Sequence, residues 1–202
     1  MVHPLILPMA LLAKSSMVSQ TSRCAWMRSS SSYTALSASS KQLSFPVMDP
    51  SSGKEIECDS SDAIFQNKRV ALYFSAGWCP MCTRAFEPSL ETFRQACEES
   101  DKPVEFLYVS SDKDANTATE RATALNMKMV PFGESCAKLK KDYEIWAGSE
   151  AMQFGFGRRS GVPAIVVLDK TGQELAFLPA EAQGPKALAS WPMDDETGIW
   201  GA

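Results

Sequence analysis

The feature that most constrains this fold is a buried-strand pattern that runs directly into two closely spaced cysteines. The segment Arg69–Ser75 (RVALYFS) is almost continuously apolar and aromatic, as in a strand buried on both faces of a sheet. Behind it, apolar residues recur at spacings of four, three and four, which is typical of one helix face: Phe86, Leu90, Phe93 and Cys97. The pentapeptide WCPMC at 78–82 therefore lies at a strand-to-helix junction.

The two cysteines of this junction have the spacing of a dithiol redox site. Cys79 and Cys82 are three residues apart, nearly one helical turn, so a disulfide between them is within reach. Cys79 precedes the helix, where unpaired N–H groups and the helix dipole favour a thiolate, and Pro80 suits the first helical position. We expect Cys79 to attack a disulfide and Cys82, one turn in and less exposed, to resolve the mixed disulfide.

A CxxC pair is also half of many zinc sites, which need a second pair of ligands at similar spacing. Cys58, Cys97 and Cys136 are isolated in the sequence, and the single histidine is His3. We therefore expect no bound metal. The position of that histidine also excludes imidazole-dependent catalysis from the body of the chain. Six irregularly spaced cysteines in 202 residues do not suggest a small disulfide-stapled domain either.

Strand and helix patterns alternate through the rest of the chain. The predicted strands are a hairpin at 45–48 and 54–58, then 104–110, 127–132, 164–168 and 173–177. The predicted helices after the one behind the cysteines are 115–125 and 136–146, and the glycine-rich residues 147–160 are predicted to be a loop. This order predicts an α/β fold with a central mixed β-sheet flanked by helices on both faces.

The tripeptide Gly161-Val162-Pro163 leads into the predicted strand at 164–168. Proline is restricted to special positions in sheets, and an X–Pro bond adopts the cis form at low cost. A cis Val162–Pro163 bond would turn the chain tightly and leave the Val162 backbone groups open to pair with an extended substrate. The alternative is a trans proline that simply opens the strand.

The N-terminal segment differs from the rest of the chain in composition. Residues 1–48 hold four basic residues, no acidic residue and clustered serines, whereas the remainder holds 16 basic and 24 acidic residues. Such a composition is typical of an organelle transit peptide, so we predict a presequence at 1–42 and a plastid or mitochondrial location after its cleavage. The apolar run at 4–13 is too short to span a membrane. The alternative is an untargeted tail on a cytoplasmic protein.

These motifs resemble the active-site segments of the thioredoxin superfamily, and more closely its tryparedoxin and nucleoredoxin branch. The resemblance covers about residues 43–178 and rests on four motifs in order: ALYFSAGWCPMC at 71–82, VSSD at 109–112, VPF at 130–132 and GVP at 161–163. Thioredoxin itself usually has a buried aspartate six positions before the first cysteine. This chain has Tyr73 there, which again resembles the tryparedoxin-like branch.

The resemblance implies a role for each matching residue. Cys79 is then the nucleophile, Cys82 the resolving thiol and Trp78 the flanking aromatic residue. Pro163 is the cis-proline, and Val162 before it is expected to contact the substrate. The fold that the resemblance implies is thioredoxin-like over residues 43–178.

The chain departs from the pattern of that branch at two places. The branch usually has two prolines between the cysteines, whereas this chain has Pro80 and Met81. Residues between the cysteines tune the stability of the thiolate, so the redox potential stays open. The segment 147–159 is longer than expected before the cis-proline and is expected to modify substrate access. Residues 179–202 form a C-terminal extension, interpreted as a short helix or tail.

The charged residues near these motifs are interpreted as solvated. Arg158 and Arg159 precede the proline turn and are expected to lie in a solvated loop; the alternative is that they steer an acidic partner or stabilise the Cys79 thiolate. Three lysines are expected on the solvated face of a helix: Lys138, Lys140 and Lys141.

The cysteines outside the motif have different expectations. Cys97 lies on an apolar helix face and is expected to be a buried, inert thiol. Cys58 and Cys136 remain candidates for regulatory redox chemistry. The segment from Trp191 to Trp200 is predicted neither as packed nor as disordered.

The sequence as a whole predicts a protein-disulfide reductase that cycles between dithiol and disulfide at Cys79 and Cys82. It lacks a nucleotide-binding glycine fingerprint, so we expect no bound cofactor and electrons from an upstream thiol or NADPH-dependent reductase. The formal charge of −4 argues against nucleic acid as a partner. We expect protein disulfides as substrates, no membrane span and a monomer. The alternatives are a redox-gated protein-binding module of nucleoredoxin type with little turnover, and a disulfide oxidase or isomerase.

Overall fold

The structure is a computed structural model that describes residues 44–193, apart from residues 60, 61, 63, 64 and 67. Its strands are β1 (Ser44–Met48), β2 (Glu55–Asp59), β3 (Arg69–Ser75), β4 (Val104–Ser110), β5 (Lys128–Met129), β6 (Ala164–Leu168) and β7 (Glu174–Leu178). Its α-helices are α1 (Glu87–Glu99), α2 (Ala115–Ala124), α3 (Glu134–Tyr143), α4 (Ala151–Phe154) and α5 (Ala180–Gln183).

All seven strands form one mixed sheet in the order β2-β1-β5-β4-β3-β6-β7. The central strand β3 pairs in parallel with β4 and antiparallel with β6. Tyr73 lies opposite Tyr108 and Ser75 opposite Ser110, so the carboxyl ends of β3 and β4 finish at the same edge. The predicted hairpin is present as β1 and β2. The predicted α/β fold with a central mixed sheet is confirmed.

Each face of the sheet buries its own hydrophobic core, because successive side chains of a strand point to opposite faces. Leu72 and Phe74 of β3 join the core that is covered by α3. Ala71 and Tyr73 join the opposite core, which is covered by α1 and α2. Helices therefore lie on both faces, as predicted.

Two segments differ from the sequence prediction. The strand predicted at 127–132 is reduced to β5, since Pro131 has no N–H group to donate to a strand ladder. Residues 147–160, predicted to be a loop, contain a 3₁₀ turn at Gly148–Glu150 followed by α4. Their many glycines had favoured a loop, but tertiary contacts described below hold the segment in helical turns.

The C-terminal extension is packed against the domain as far as the structure describes it. After α5, a 3₁₀ turn spans Gly184–Ser190 and leads to Trp191. The Trp191 ring lies 4.9 Å from that of Phe93 and 5.7 Å from that of Phe106, between centroids. A guanidinium nitrogen of Arg69 donates to the carbonyl oxygen of Pro192 over 2.7 Å. The extension thus completes the core on the α1 side.

The predicted presequence at 1–42 and the last nine residues lie outside the described part of the chain. The presequence therefore stays a prediction. Among the described residues, no helix is long and apolar enough to cross a membrane.

Candidate active site

The two cysteines lie where β3 gives way to a helix at the carboxyl edge of the sheet. The Cys79 N–H donates to the carbonyl oxygen of Ala76 over 3.1 Å, which closes the turn after the strand. The helix then begins at Pro80, which has no N–H group to leave unpaired. Thr83 donates both its N–H (3.0 Å) and its hydroxyl (3.1 Å) to the carbonyl oxygen of Cys79. These bonds fix Cys79 immediately before the first helical turn.

The two thiols differ in exposure in the predicted order. Cys79 is 8% exposed, whereas Cys82 is completely buried, and both are free thiols in this structure. Burial raises the pKa of the Cys82 thiol to about 12, while the buried Ser75 hydroxyl opposes that rise. Cys82 is therefore a protonated thiol at neutral pH. Cys79 is the thiol that a large partner can reach, through the small part of its side chain that is exposed.

The loop that contains Pro163 lies against the outer thiol. The Val162–Pro163 peptide bond is cis, and both residues are buried. The Cys79 thiol donates to the carbonyl oxygen of Val162 over 3.8 Å. The structure thus brings together Cys79 and the proline loop, which are 83 residues apart in sequence.

The rim of the site is apolar and exposed. Trp78, Pro80 and Met81 surround the buried thiols, and Trp78 and Met81 are 46% and 44% exposed. The Trp78 indole N–H donates to the carbonyl oxygen of Ser111 over 2.9 Å, which orients its ring. A partner that reaches Cys79 therefore meets apolar side chains first.

Asp112 positions the turn before the cysteines, a role that the sequence analysis did not assign. The Gly77 N–H donates to one carboxylate oxygen of Asp112 over 2.7 Å. The other oxygen accepts the hydroxyls of Tyr108 (2.6 Å) and Ser110 (2.8 Å). The available signal was its position two residues after the end of β4, because the ends of parallel neighbours meet at one edge.

Tyr73 lies inside the molecule below the thiols. Its hydroxyl donates to a carboxylate oxygen of Glu87 over 3.3 Å, and burial raises the pKa of this tyrosine. Glu87 is itself buried and forms an ion pair with Arg121 of α2. Sequence reasoning did not find Glu87 or Arg121, since each reads as an ordinary solvated helix residue.

Comparison with known proteins agrees with this geometry. The sequence profile of the family described as Thioredoxin-like matches residues 67–174, more than half of the chain. The chain belongs to the thioredoxin-like family. Relatives that it resembles in sequence are nucleoredoxins, and thioredoxin-like homologues are thiol oxidoreductases.

The relatives are larger than the matched region. The chain is 31% identical to the probable nucleoredoxin 1 of Arabidopsis thaliana over 107 residues, which cover 52% of this chain and 16% of that protein. It is 26% identical to nucleoredoxin of Bos taurus over 125 residues, 61% of this chain and 24% of that protein. The chain thus matches less than a quarter of the length of each of these two relatives.

A solved structure gives the same fold. Tryparedoxin I from Leishmania major superposes with a TM-score of 0.51 at 22% identity, covering 75% of this chain and 93% of that one. At this identity the likeness shows the thioredoxin-like fold alone, which confirms the predicted architecture.

The segment 147–159, which is longer than the pattern of the branch predicts, is bound to the rim of the site by hydrogen bonds. One carboxylate oxygen of Glu150 accepts the Ser111 hydroxyl over 2.7 Å and the Ala147 N–H over 2.9 Å. Its other oxygen binds the ammonium group of Lys140, which is only 4% exposed. The prediction that Lys140 is solvated was therefore wrong, because a partner ten residues further along the chain folds back over it.

Arg158 and Arg159 are both held in ion pairs. Arg158 donates to the carbonyl oxygen of Trp146 (2.8 Å) and to the carboxylate of Glu181 (3.0 Å). The second oxygen of Glu181 accepts the Gly161 N–H over 2.6 Å, so this network clamps the start of the proline loop. Arg159 makes two bonds of 2.7 Å to Glu174 and stacks on an aromatic ring. Both residues lie in a loop as predicted, and Arg159 is exposed there, whereas Arg158 is half-buried.

The remaining described cysteines are free and buried: Cys58, Cys97 and Cys136. Burial raises the pKa of all three thiols, so none is an activated thiolate. The Cys136 thiol donates to the carbonyl oxygen of Ser110 over 3.2 Å. Within the described ranges, no group of three or more His, Cys, Asp or Glu side chains is arranged to hold a metal ion.

Proposed function

We propose that this chain is a thiol–disulfide oxidoreductase that reduces protein disulfides through a dithiol/disulfide cycle at Cys79 and Cys82. The observation that carries the proposal is the contact of the Cys79 thiol with the Val162 carbonyl oxygen, 3.8 Å away in the cis-proline loop. This contact places the Cys79 sulfur beside the backbone of the cis-proline loop. An extended substrate can pair with this backbone and bring its disulfide to the sulfur.

The first step is attack by the Cys79 thiolate on one sulfur of the substrate disulfide. A sulfur–sulfur bond forms between Cys79 and the substrate, and the second substrate sulfur leaves as a thiolate. In the second step Cys82, deprotonated, attacks Cys79. The disulfide between Cys79 and Cys82 forms, and the remaining substrate sulfur leaves. The substrate gains two electrons, which the protein dithiol supplies.

An external reductant must then return the protein to its dithiol form. We propose an upstream thiol or NADPH-dependent reductase for this step, and no cofactor bound to the chain itself. Because the rim at Trp78 and Met81 is apolar, both this reductase and the substrate are expected to present apolar residues beside their reactive sulfurs. A monomer in a plastid or mitochondrion is part of the same proposal.

The reduction potential of the full chain tests the proposal. The chain is equilibrated in graded dithiothreitol and glutathione buffers, its thiols are trapped, and the dithiol and disulfide fractions are measured. We expect one two-electron transition nearer to thioredoxin, at about −270 mV, than to the isomerases at about −180 mV. Cys79→Ser should abolish it, whereas the control Cys97→Ser should keep it.

Two outcomes would change the assignment. A potential at or above about −180 mV would move it to disulfide oxidation or isomerisation. No reversible transition in the unsubstituted chain would remove the dithiol cycle altogether.

A second candidate function is a redox-gated binding module with little turnover. The observation that favours it is a pair of strongly exposed apolar side chains, Met152 at 90% and Phe156 at 84%, on the segment that Glu150 ties to the rim. Steady-state reduction of insulin by the full chain, with dithiothreitol as reductant, separates the two. A reversible transition without measurable insulin reduction would favour the binding module.

A further inference from the structure

The backbone before Pro163 contains one buried residue whose polar groups are not satisfied within the described part of the chain. Val162 is buried, and none of the described residues accepts its N–H. Among the same residues its carbonyl oxygen accepts only the Cys79 thiol, at the long distance of 3.8 Å. Buried backbone groups without partners are rare in folded proteins, so these two groups indicate a partner outside the chain.

The neighbours of Val162 already have partners for their backbone groups. The Trp146 N–H donates to the carbonyl oxygen of Ser160 over 3.3 Å, and the Ser160 hydroxyl donates to the carbonyl oxygen of Gly161 over 3.1 Å. On the other side, Ala164 pairs with β3 in the sheet. Val162 therefore offers an extended chain the N–H and the C=O that one strand position needs.

An ion pair occupies the Gly161 N–H, which would otherwise be a second donor for the same partner. One carboxylate oxygen of Glu181 accepts the Gly161 N–H over 2.6 Å, and the other accepts a guanidinium nitrogen of Arg158 over 3.0 Å. A second nitrogen of Arg158 donates to the carbonyl oxygen of Trp146 over 2.8 Å. We call this ion pair the clamp. It holds the residue immediately before Val162.

The clamp depends on the absence of a side chain at position 161. A Cβ atom there would lie 2.5 Å from Cδ of Glu181 and 2.7 Å from a guanidinium nitrogen of Arg158, closer than Cβ atoms approach in real structures. Glycine thus lets the carboxylate reach the backbone N–H. The ion pair and the loop are therefore fitted to each other.

The clamp joins two segments that the motifs of the dithiol site do not include. Arg158 belongs to the segment 147–159, which is longer than the pattern of the branch predicts. Glu181 belongs to α5 in the C-terminal extension, beyond the region that the family profile matches. The bond exchange at the cysteines by itself does not need either residue, whereas the placement of a substrate beside Val162 does.

We propose that Arg158 and Glu181 are positioning residues that fix the loop residue with which an extended substrate pairs. The inference rests on the proposed reduction of disulfides at Cys79. With the Gly161 N–H occupied, the substrate strand finds a donor and an acceptor together at Val162. Because a shift by one residue turns each side chain to the opposite face, this register decides whether the substrate sulfur faces Cys79.

The substrate class that follows is a disulfide within an extended polypeptide. A low-molecular-weight disulfide has no flanking backbone to pair with the loop and needs only the exposed part of the Cys79 sulfur. Loss of the clamp should therefore slow the reaction with extended peptides, and it should change neither the reaction with small disulfides nor the reduction potential. A merely structural role would affect both substrates alike, since less folded protein would react with either.

Two substrates with the same reacting group separate these roles in the full chain. One is the symmetrical disulfide of a short peptide with a central cysteine, and the other is the disulfide of N-acetylcysteine amide. The reduced protein is mixed with each disulfide in excess, and the reaction is quenched with acid. Chromatography of the released thiol gives a second-order rate constant for each substrate. The unsubstituted chain should react faster with the peptide.

We expect Glu181→Gln to lower the rate constant for the peptide about tenfold, roughly the effect of one lost hydrogen bond, and to leave the small disulfide unaffected. Glutamine has a single oxygen, so it cannot accept both the Gly161 N–H and the Arg158 guanidinium group. Arg158→Met should show the same selective loss, and it keeps the test valid if Glu181→Gln fails to fold. The double variant should lose little more than either single one, because the two residues act as a unit.

The matched control is Glu174→Gln. Glu174 accepts two hydrogen bonds from Arg159, the chain neighbour of Arg158, and both ion pairs are partly exposed to a similar degree. Within the described ranges, no hydrogen bond joins Glu174 to residues 160–163. This variant should keep both rate constants, although it too loses an ion pair.

A modified substrate tests the backbone pairing itself. The peptide disulfide is N-methylated at the residues that flank its cysteine, which removes N–H donors that could pair with the loop. The unsubstituted chain should reduce this peptide as slowly as Glu181→Gln reduces the unmodified one, and Glu181→Gln should lose nothing further. Fully additive losses would overturn the inference, because the clamp would then act on something other than the pairing.

The remaining outcomes separate this inference from the proposed function. If Glu181→Gln and Arg158→Met slow both substrates equally, or leave the peptide reaction unchanged, the positioning role is wrong and the dithiol cycle stands. If the unsubstituted chain releases no thiol from either disulfide, the proposed function fails first.

Discussion

The outer and inner sides of the CxxC motif differ in what surrounds the sulfur. On the outer side, Cys79 contacts a backbone carbonyl group and directly follows the exposed Trp78 in the chain. On the inner side, Cys82 is buried next to hydroxyl groups and near a buried ion pair formed by Glu87 and Arg121. Two thiols three residues apart thus have unlike surroundings. The attacking thiol has to be accessible to a partner, whereas the resolving thiol has to stay buried until the mixed disulfide has formed.

Removing the thiols one at a time should have the largest effect. Cys79→Ser should abolish disulfide reduction, because a serine hydroxyl is not ionised at neutral pH. Cys82→Ser should retain the first attack and stop at the mixed disulfide. Mass spectrometry after incubation with a disulfide-bonded peptide should show a covalent adduct for Cys82→Ser and none for Cys79→Ser. Equal adducts on both variants would mean that another thiol attacks.

Gly161, at the start of the cis-proline loop, should be the glycine that tolerates an added side chain least. A Cβ atom at Gly161 would lie 2.5 Å from Cδ of Glu181 and 2.7 Å from a nitrogen of Arg158. We expect Gly161→Ala to lower the free energy of unfolding by about 1–3 kcal/mol through overpacking. Chemical denaturation measures this change in the free energy of unfolding.

Gly157→Ala is the matched control, because a Cβ atom there would meet no described atom within 4 Å. Equal unfolding free energies for the two variants would show that the clamp does not restrain the loop.

The inner thiol should make stability depend on alkaline pH. The folded state holds the Cys82 pKa near 12, above its value of 9.0 in an ordinary environment, so the unfolded state releases this proton first. The stabilisation is complete below about pH 9 and is lost as pH rises toward 12, at up to about 1.4 kcal/mol per pH unit. Denaturation under reducing conditions at two alkaline pH values should show a shallower loss for Cys82→Ala. Identical losses of stability for the two proteins would contradict a raised Cys82 pKa in the folded state.

The smallest effect should come from the rim. Trp78→Phe removes the indole donor to Ser111 and should lower the unfolding free energy by about 0.5–1.5 kcal/mol, the usual net value of one hydrogen bond. Trp146→Phe is the buried counterpart, since its indole donates to the carbonyl oxygen of Gly155 over 3.1 Å. Thermal denaturation should show a greater loss for Trp146→Phe. A greater loss of stability for Trp78→Phe would mean that Trp78 stabilises the fold as well as providing contact surface at the rim.

Much of this site could be predicted because its signals are local. A five-residue apolar run at 70–74, a helical period and a three-residue cysteine spacing each arise from neighbours along the chain. The partners of polar residues carry no such signal. Glu87 and Glu91 look alike in the sequence, yet only Glu87 is buried against a tyrosine hydroxyl and an arginine. The same holds for Lys140, whose burial depends on Glu150.

By itself, the sequence determined the order of the strands and of helices α1 to α3, the place of Cys79 and Cys82 at a strand-to-helix junction and the resemblance to the thioredoxin superfamily. Only the tertiary structure decided that the Val162 carbonyl oxygen meets the Cys79 thiol. It also decided that Glu87 lies on the inner side. The physical reason is that apolar periodicity is a property of one segment, whereas hydrogen bonds and burial of charge are set by segments far apart in the chain.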